Sequence, residues 1–169
     1  MTEQVDAARW EAVEEATELL MEGAQAQALT ALRDVLEADP QNSYAFFYLG
    51  TALFEMGQHG PSRDAYRAAV RLSPNYLGAR VGLSQSLRKL GEPEAALDQA
   101  EEALRRFPDD GDALYAAATC LAAMGRVKRA IEVFRRFLET GPEVESQIET
   151  QGILDTLAQA REGQAVVLP

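Results

Sequence analysis

Apolar residues recur at helical spacing through most of this chain, and the pattern is clearest between residues 43 and 74. There SYAFFYLGTALFEMGQHGPSRDAYRAAVRLSP holds two apolar-periodic stretches on either side of a break at Met56, Gly57 and Gln58. The stretch closes on Pro74, which cannot continue a helix. This is the pattern of a helical hairpin, and it repeats. Glycines stand at Gly23, Gly57, Gly91 and Gly125 and prolines at Pro40, Pro74, Pro108 and Pro142, each series advancing by 34 residues. Glycine accepts the left-handed conformation just past one helix, and proline stops the next. The pattern predicts helices starting near Asp6, Gln25, Ser43, Gly60, Leu77, Pro93, Gly111 and Val127. A ninth helix over 143–162 follows, with Ile148, Ile153, Leu154, Leu157 and Ala160 near one face, expected to cover the exposed side of the last hairpin.

The columns between these markers agree. Leu19, Leu53, Leu87 and Leu121 share one place in the first helix of each unit. Ala28, Ser62, Ala96 and Ala130 hold a small-residue place in the second, where a short side chain lets two helices approach. Leu36, Val70, Leu104 and Leu138 supply larger core residues. Asn42, Asn75 and Asp110 are candidate N-caps, and Pro61 and Pro93 fall in first turns, where a missing amide donor costs little.

A 34-residue hairpin with a small residue early in its second helix, an aromatic such as Tyr66 or Phe134 one turn later and a closing proline resembles the tetratricopeptide repeat. The resemblance covers residues 9–144. It implies an all-α fold, a tetratricopeptide-type α-solenoid of four helical hairpins plus a C-terminal capping helix. The expected division is an N-terminal extension over 1–8 and a single repeat domain over 9–162. Within that domain the repeats fall near 9–42, 43–76, 77–110 and 111–144, with the cap near 143–162. A flexible tail over 163–169 follows, whose apolar tip could enter a groove.

The first unit departs from the columns. Where later units carry Ala45/Leu49/Ala52/Met56, Ala79/Leu83/Ser86/Leu90 and Ala113/Ala117/Cys120/Met124 on the face that meets a preceding repeat, the first carries Glu11, Glu15, Glu18 and Glu22. That spacing sets four carboxylates on one helix face. A polar terminal face kept for solubility is the simplest account, and a docking site for a basic partner is the other. Residues 1–42 carry −8 (ten acids, two bases), whereas 43–76 carry +1 (two acids, three bases).

Composition narrows the function. Hydrophobic residues make up 47% and charged residues 25%, which fits a folded chain. A net charge of −11 argues against nucleic-acid binding and against an anionic membrane surface, since phosphate neutralisation needs a basic face. No stretch reaches the roughly 18 apolar residues of a membrane span. With no signal-peptide pattern and a lone Cys120, a cytoplasmic location is expected, and the excess of arginine over lysine with abundant alanine fits a GC-rich bacterial coding sequence. One histidine, His59, cannot build a histidine pair for a metal, and no phosphate loop or catalytic constellation is apparent. The reading is therefore not an enzyme, with no cofactor and no metal.

The resemblance implies that first helices line an inner groove. The residues left for it after core assignment are Trp10, Val13, Thr17, Leu20 and Met21 in the first unit and Tyr44, Phe47, Tyr48, Thr51 and Phe54 in the second. The third gives Val81, Gln85, Arg88 and Lys89 with Gly78 and Gly82, and the fourth Asp112, Tyr115, Ala116 and Thr119. Five of the twelve aromatics fall in the first two units of this set, so an apolar stripe suited to protein binding is expected there. Gly78 and Gly82 either open a pocket for a partner's side chain or ease helix packing. The places that hold basic and Asn residues in repeats gripping C-terminal carboxylates of chaperone tails here carry Val13, Thr17, Tyr48, Gly78 and Gly82, so that mode is disfavoured. The expected function is a non-catalytic adaptor or scaffold that grips an apolar or aromatic-anchored peptide or helix of another protein. The alternatives are a secretion-type chaperone holding an extended client segment and a homo-oligomeric assembly scaffold.

Overall fold

The computed structural model describes residues 2–168; Met1 and Pro169, the outermost residues of the expected extension and tail, lie outside them. Among the described residues there are helices and no strands: α1 (Thr2–Glu11), α2 (Glu14–Met21), α3 (Gln25–Ala38), α4 (Ser43–Glu55), α5 (His59–Leu72), α6 (Leu77–Lys89), α7 (Pro93–Arg106), α8 (Gly111–Ala123), α9 (Val127–Glu139) and α10 (Val144–Gln159). From Gln25 onward every observed start lies within one residue of the start read from the pattern. The glycine series does what its spacing implies: Gly23, Gly57, Gly91 and Gly125 have φ of 76°, 73°, 79° and 69°. Asn42 and Asp110 cap α4 and α8 by accepting from Ala45 N and Ala113 N. At α6 the cap column falls on Tyr76, whose carbonyl accepts from Arg80 N at 3.2 Å, and Asn75 lies in the turn before it.

The first helix differs most from expectation. The residues read as an extension are helical from Thr2, and the helix breaks at Ala12 and Val13. Val13 N bonds to Trp10 O at 3.0 Å, a tightened turn that swings the Val13 side chain inward.

The chain packs as two compact units, Met1–Ser86 and Leu87–Pro169, divided within α6. In the first unit one cluster joins Val13, Ala16, Leu32 and Ala45, and a second joins Leu29, Ala52, Leu53 and Ala65. The small-residue column is fully buried at Ala28 and Ser62. Ser62 Oγ donates to Gly50 O at 2.8 Å and lies 3.1 Å from Ser86 Oγ, so the one polar member of the column is satisfied inside the core. The ring of Tyr66 fills the space left by two glycines: a Cβ at Gly50 would lie 2.8 Å from it and one at Gly82 2.4 Å. Gly78 faces Phe47 in the same way, at 3.1 Å. These glycines serve close helix packing, which decides between the two roles left open for Gly78 and Gly82.

In the second unit α8 is almost wholly buried and rich in alanine, packed by α7 on one side and α9 on another. α9 buries Val127, Ala130, Phe134 and Phe137 and leaves Lys128, Arg129, Arg135 and Arg136 outside, the stripe that a 3.6-residue period predicts. Arg129 reaches Glu101 at 3.3 Å, a surface pair between α9 and α7. α10 packs on α9 with Ile153, Leu154 and Leu157 buried, but Ile148, assigned to the same face, is 69% exposed. The residues expected to hang free after Gly163 lie along the turn between α8 and α9. Gly163 N donates to Gly125 O at 2.8 Å, Val166 N to Ala122 O at 2.9 Å, and the Glu162 carboxylate accepts from Lys128 N at 3.1 Å. Leu168 is buried. A Cβ at Gly125 would lie 2.7 Å from Gly163, whereas at Gly23, Gly57 and Gly91 it would meet nothing within 4 Å.

Candidate functional site

The first unit gathers six aromatic rings. Trp10, in the last turn of α1, meets Tyr44 edge-on at 5.4 Å and Tyr48 at 6.2 Å. Tyr44 and Phe47 both contact Tyr76, at 5.7 and 4.8 Å, and Phe47 also touches Tyr48 and Tyr66. The arrangement follows from position: Tyr44, Phe47, Tyr48 and Thr51 are at i, i+3, i+4 and i+7 of α4, so they share one face. Such ring pairs favour edge and tilted geometry and hold one another in place, each contributing about 0.5–1.5 kcal/mol beyond burial. Asp6 sits one turn before Trp10 and accepts from Tyr44 Oη at 3.0 Å, while Thr51 Oγ1 lies 3.0 Å from Tyr66 Oη.

The hydroxyls remain protonated across the neutral range. Burial pushes the Tyr44, Tyr48, Tyr66 and Tyr76 phenols above their ordinary value, reinforced at Tyr44 by Asp6 and at Tyr76 by neighbouring tyrosines. The face therefore offers apolar ring surface and neutral hydroxyls. Its most open member is Trp10, 45% exposed, with Tyr44, Phe47 and Tyr48 half-buried around it. Arg9 anchors the end of α1 by donating from Nε to Asp39 Oδ2 at 2.6 Å, and its guanidinium holds the Asp39 carboxyl below the usual range. Asn42, fully buried, donates from Nδ2 to Arg9 O at 2.9 Å.

Other residues read as groove members fall elsewhere. Val13 is a correction: it has no exposed surface and packs with Ala16, Leu32 and Ala45, because the break in the first helix rotates it into the core. Val81 is likewise buried, at 6% exposure, beside Gly82, over which the Tyr66 ring lies. Thr119 is 4% exposed and turns its hydroxyl back to Ala116 O, enclosed with the rest of α8. Thr17 and Gln85 are partly exposed, and Thr17 spends its hydroxyl on Glu14 O. Phe54 is half-buried against His59 at 4.9 Å, away from the other rings.

In the second unit Tyr115 is half-buried against Phe134 and Phe137 and donates to Glu149 Oε1 at 3.0 Å. Burial, and then the carboxylate, push its phenol up to about 12. Arg88 is half-buried, with its Nε shielded from solvent and without a hydrogen-bond partner. Asp6, Tyr76 and Glu149 are the participants missed in the sequence. Tyr76 shares the 34-residue column of Asn42 and Asp110, and Glu149 follows Tyr115 by one period, so both were within reach of the repeat arithmetic. Among the described residues no cluster of histidine, cysteine, aspartate or glutamate could hold a metal ion. No described helix is long and apolar enough to cross a membrane.

Comparison with known proteins agrees with this architecture. The tetratricopeptide repeat model matches residues 13–76 and 81–145. The outer dynein arm-docking complex subunit 4 of Xenopus laevis is 32% identical over 62% of this chain and 20% of its own length. Protein FlbA of Caulobacter vibrioides is 33% identical over 65% of this chain and 19% of its own. The chain thus spans about a fifth of the length of these curated relatives. Among solved structures, residues 41 to the end of MamA from Desulfovibrio magneticus RS-1 superpose with a TM-score of 0.73 at 18% identity, covering 89% of each chain. YrrB, described as a tetratricopeptide repeat protein with an unusual peptide-binding site, superposes with a TM-score of 0.69 at 22% identity over 88% of this chain and 76% of its own. With its 34-residue hairpins, left-handed glycine turns and buried small-residue column, the chain belongs to the tetratricopeptide repeat family, whose domains bind other proteins or peptides.

Proposed function

We propose that this chain is a non-catalytic adaptor that grips an apolar or aromatic-anchored peptide or helix of another protein on the ring-lined face of its first two hairpins. The observation that carries the reading is Trp10, which keeps 45% of its surface open while Tyr44 and Tyr48 brace it from the side. A large ring fixed in position and still open to solvent is the usual anchor of a protein interface, because little side-chain entropy remains to be lost on binding. The surrounding hydroxyls are neutral, so recognition there rests on apolar contact and hydrogen bonding rather than on charge.

Trp10 is also the chain's sole tryptophan, so its fluorescence reports directly on this face. Peptides selected by display against the immobilised protein should change that emission on binding. Trp10→Ala and Tyr48→Ala should each weaken them by roughly tenfold or more, the effect of losing an anchor worth over 1.4 kcal/mol, with helical circular dichroism unchanged. Selected peptides that bind both variants as tightly as the parent protein would overturn the proposal.

A further inference from the structure

The first hairpin keeps an apolar furrow that its neighbour has filled. In the second hairpin, Leu29 of α3 seats against Ala52, Leu53 and Ala65, with Leu20 and Leu49 beside it. Counting back 34 residues, the same places in the first hairpin are Glu18, Leu19 and Ala31, with Glu15 in the place of Leu49. Leu19 and Ala31 keep the apolar floor. Glu15 and Glu18 replace the two residues at the edge, and both are exposed. The result is a cleft of about 900 Å³ between the α1–α2 strip and α3, floored by Val5, Ala8, Ala12, Leu19, Ala31 and Val35 and edged by Glu15 and Asp34. Arg9, the one cation lining this cleft among the described residues, is already tied to Asp39.

We propose that this cleft docks a basic amphipathic helix of a partner protein. The repeat supplies the shape: the equivalent furrow one hairpin on accepts a helix, and does so through a leucine set against a leucine and an alanine. The edge supplies the sign, because residues 1–42 carry ten acids against two bases, and the substitutions fall where a docked helix would present its flanking side chains. Two acidic surfaces repel, so this chain's own α10, whose exposed side includes Glu145, Glu149 and Asp155, is a poor occupant, and the apolar floor requires more than a basic tail. No aromatic ring lines this cleft, so the proposal does not depend on the aromatic face, although Ala16 and Val35 pack in the cluster that Tyr44 and Tyr48 also join.

The test uses the full chain and a fluorescein-labelled Leu/Ala/Lys amphipathic peptide of about 15 residues, long enough to form a helix when bound. The comparison peptides are a scrambled version of the same composition and one with Glu in place of Lys. At about 0.15 M salt, where exposed charges beyond roughly 8 Å are screened, the Lys helix should bind and the other two should not. Amide shifts should cluster at Ala8, Ala12 and Ala31. Glu15→Lys combined with Asp34→Lys should weaken the Lys peptide about tenfold, the scale of losing two exposed charge contacts at a docked helix, while Tyr48→Ala leaves it unchanged. Both reversed residues are exposed, so the variant should fold, and circular dichroism verifies this. Equal binding of the scrambled peptide, shifts centred on Tyr44 and Tyr48, or no effect of the double reversal would overturn the proposal. So would light scattering that reveals a dimer dissolved by the same reversal, since the occupant would then be a second copy.

Discussion

Replacing Gly82 with alanine sets two ordinary effects against each other, and the Tyr66 ring decides between them. In an open helix interior the change stabilises by about 1 kcal/mol, because alanine loses less backbone freedom on folding. At Gly82 the new Cβ would lie 2.4 Å from Tyr66 Cζ, a full ångström short of the 3.4 Å at which ordinary contact begins. The ring cannot retreat toward α4, since a Cβ at Gly50 would already be 2.8 Å from its other side, and any tilt strains the 3.0 Å contact of its hydroxyl with Thr51. Overpacking of this kind costs about 1–3 kcal/mol, and a ring held from two sides belongs at the upper end. The net expectation is a loss of about 2 kcal/mol, or roughly 4–8 °C in melting temperature for a chain of this size. Trp10 is the probe of choice, being the sole tryptophan and part of the same unit, so its emission follows the melting of the perturbed half. In a Tyr66→Ala background the obstruction is gone and Gly82→Ala should become stabilising by about 1 kcal/mol, a coupling of about 3 kcal/mol across the cycle. A stabilising Gly82→Ala in the parent chain would refute the packing argument, as would the same sign in both backgrounds.

Other outcomes follow from the same contacts. Gly152→Ala, in α10 with nothing within 4 Å of the added Cβ, should stabilise by up to about 1 kcal/mol in urea unfolding, opposite in sign to Gly82→Ala. Asn42→Ala removes a buried helix cap and also leaves the part-buried Arg9 O short of a donor, so a loss of about 2 kcal/mol is expected by chemical denaturation, against about 1 for Asp110→Ala, whose cap is only partly buried. Tyr115 should ionise near 12 rather than 10.0, read as a late step in absorbance at 295 nm that Tyr115→Phe deletes. Because its folded value is raised, the contribution is fully present below pH 10 and is lost as the pH rises toward 12, so the parent chain should lose more stability than Tyr115→Phe across that window.

Most of the fold was legible in the sequence because helix punctuation is local. A glycine turn and a closing proline act on their own few residues, so their 34-residue spacing carries directly into the helix starts from Gln25 to Val127. The site was less legible because membership of a face depends on helix rotation, which tertiary contacts settle. Val13 and Val81 lie in the same column as Phe47 and Tyr115, yet both are enclosed in the core. Thr119 shares a column with Thr51, but its helix is enclosed by alanine-mediated packing that no column comparison measures. Trp10, Tyr44, Phe47 and Tyr48 do come together as one ring-lined face, because large side chains at i, i+3 and i+4 of α4 meet the last turn of α1. The docking of the last residues onto Gly125 was hidden for another reason. It rests on backbone hydrogen bonds from Gly163 and Val166, which leave no mark on side-chain pattern.

The most direct measurement is amide and indole shift mapping of the full chain, saturated with the tightest display-selected peptide. The account predicts that the largest shifts fall on the Trp10 indole and on Tyr44, Phe47 and Tyr48, and that they vanish together in Trp10→Ala. Shifts concentrated away from these four residues, persisting in that variant, would contradict it.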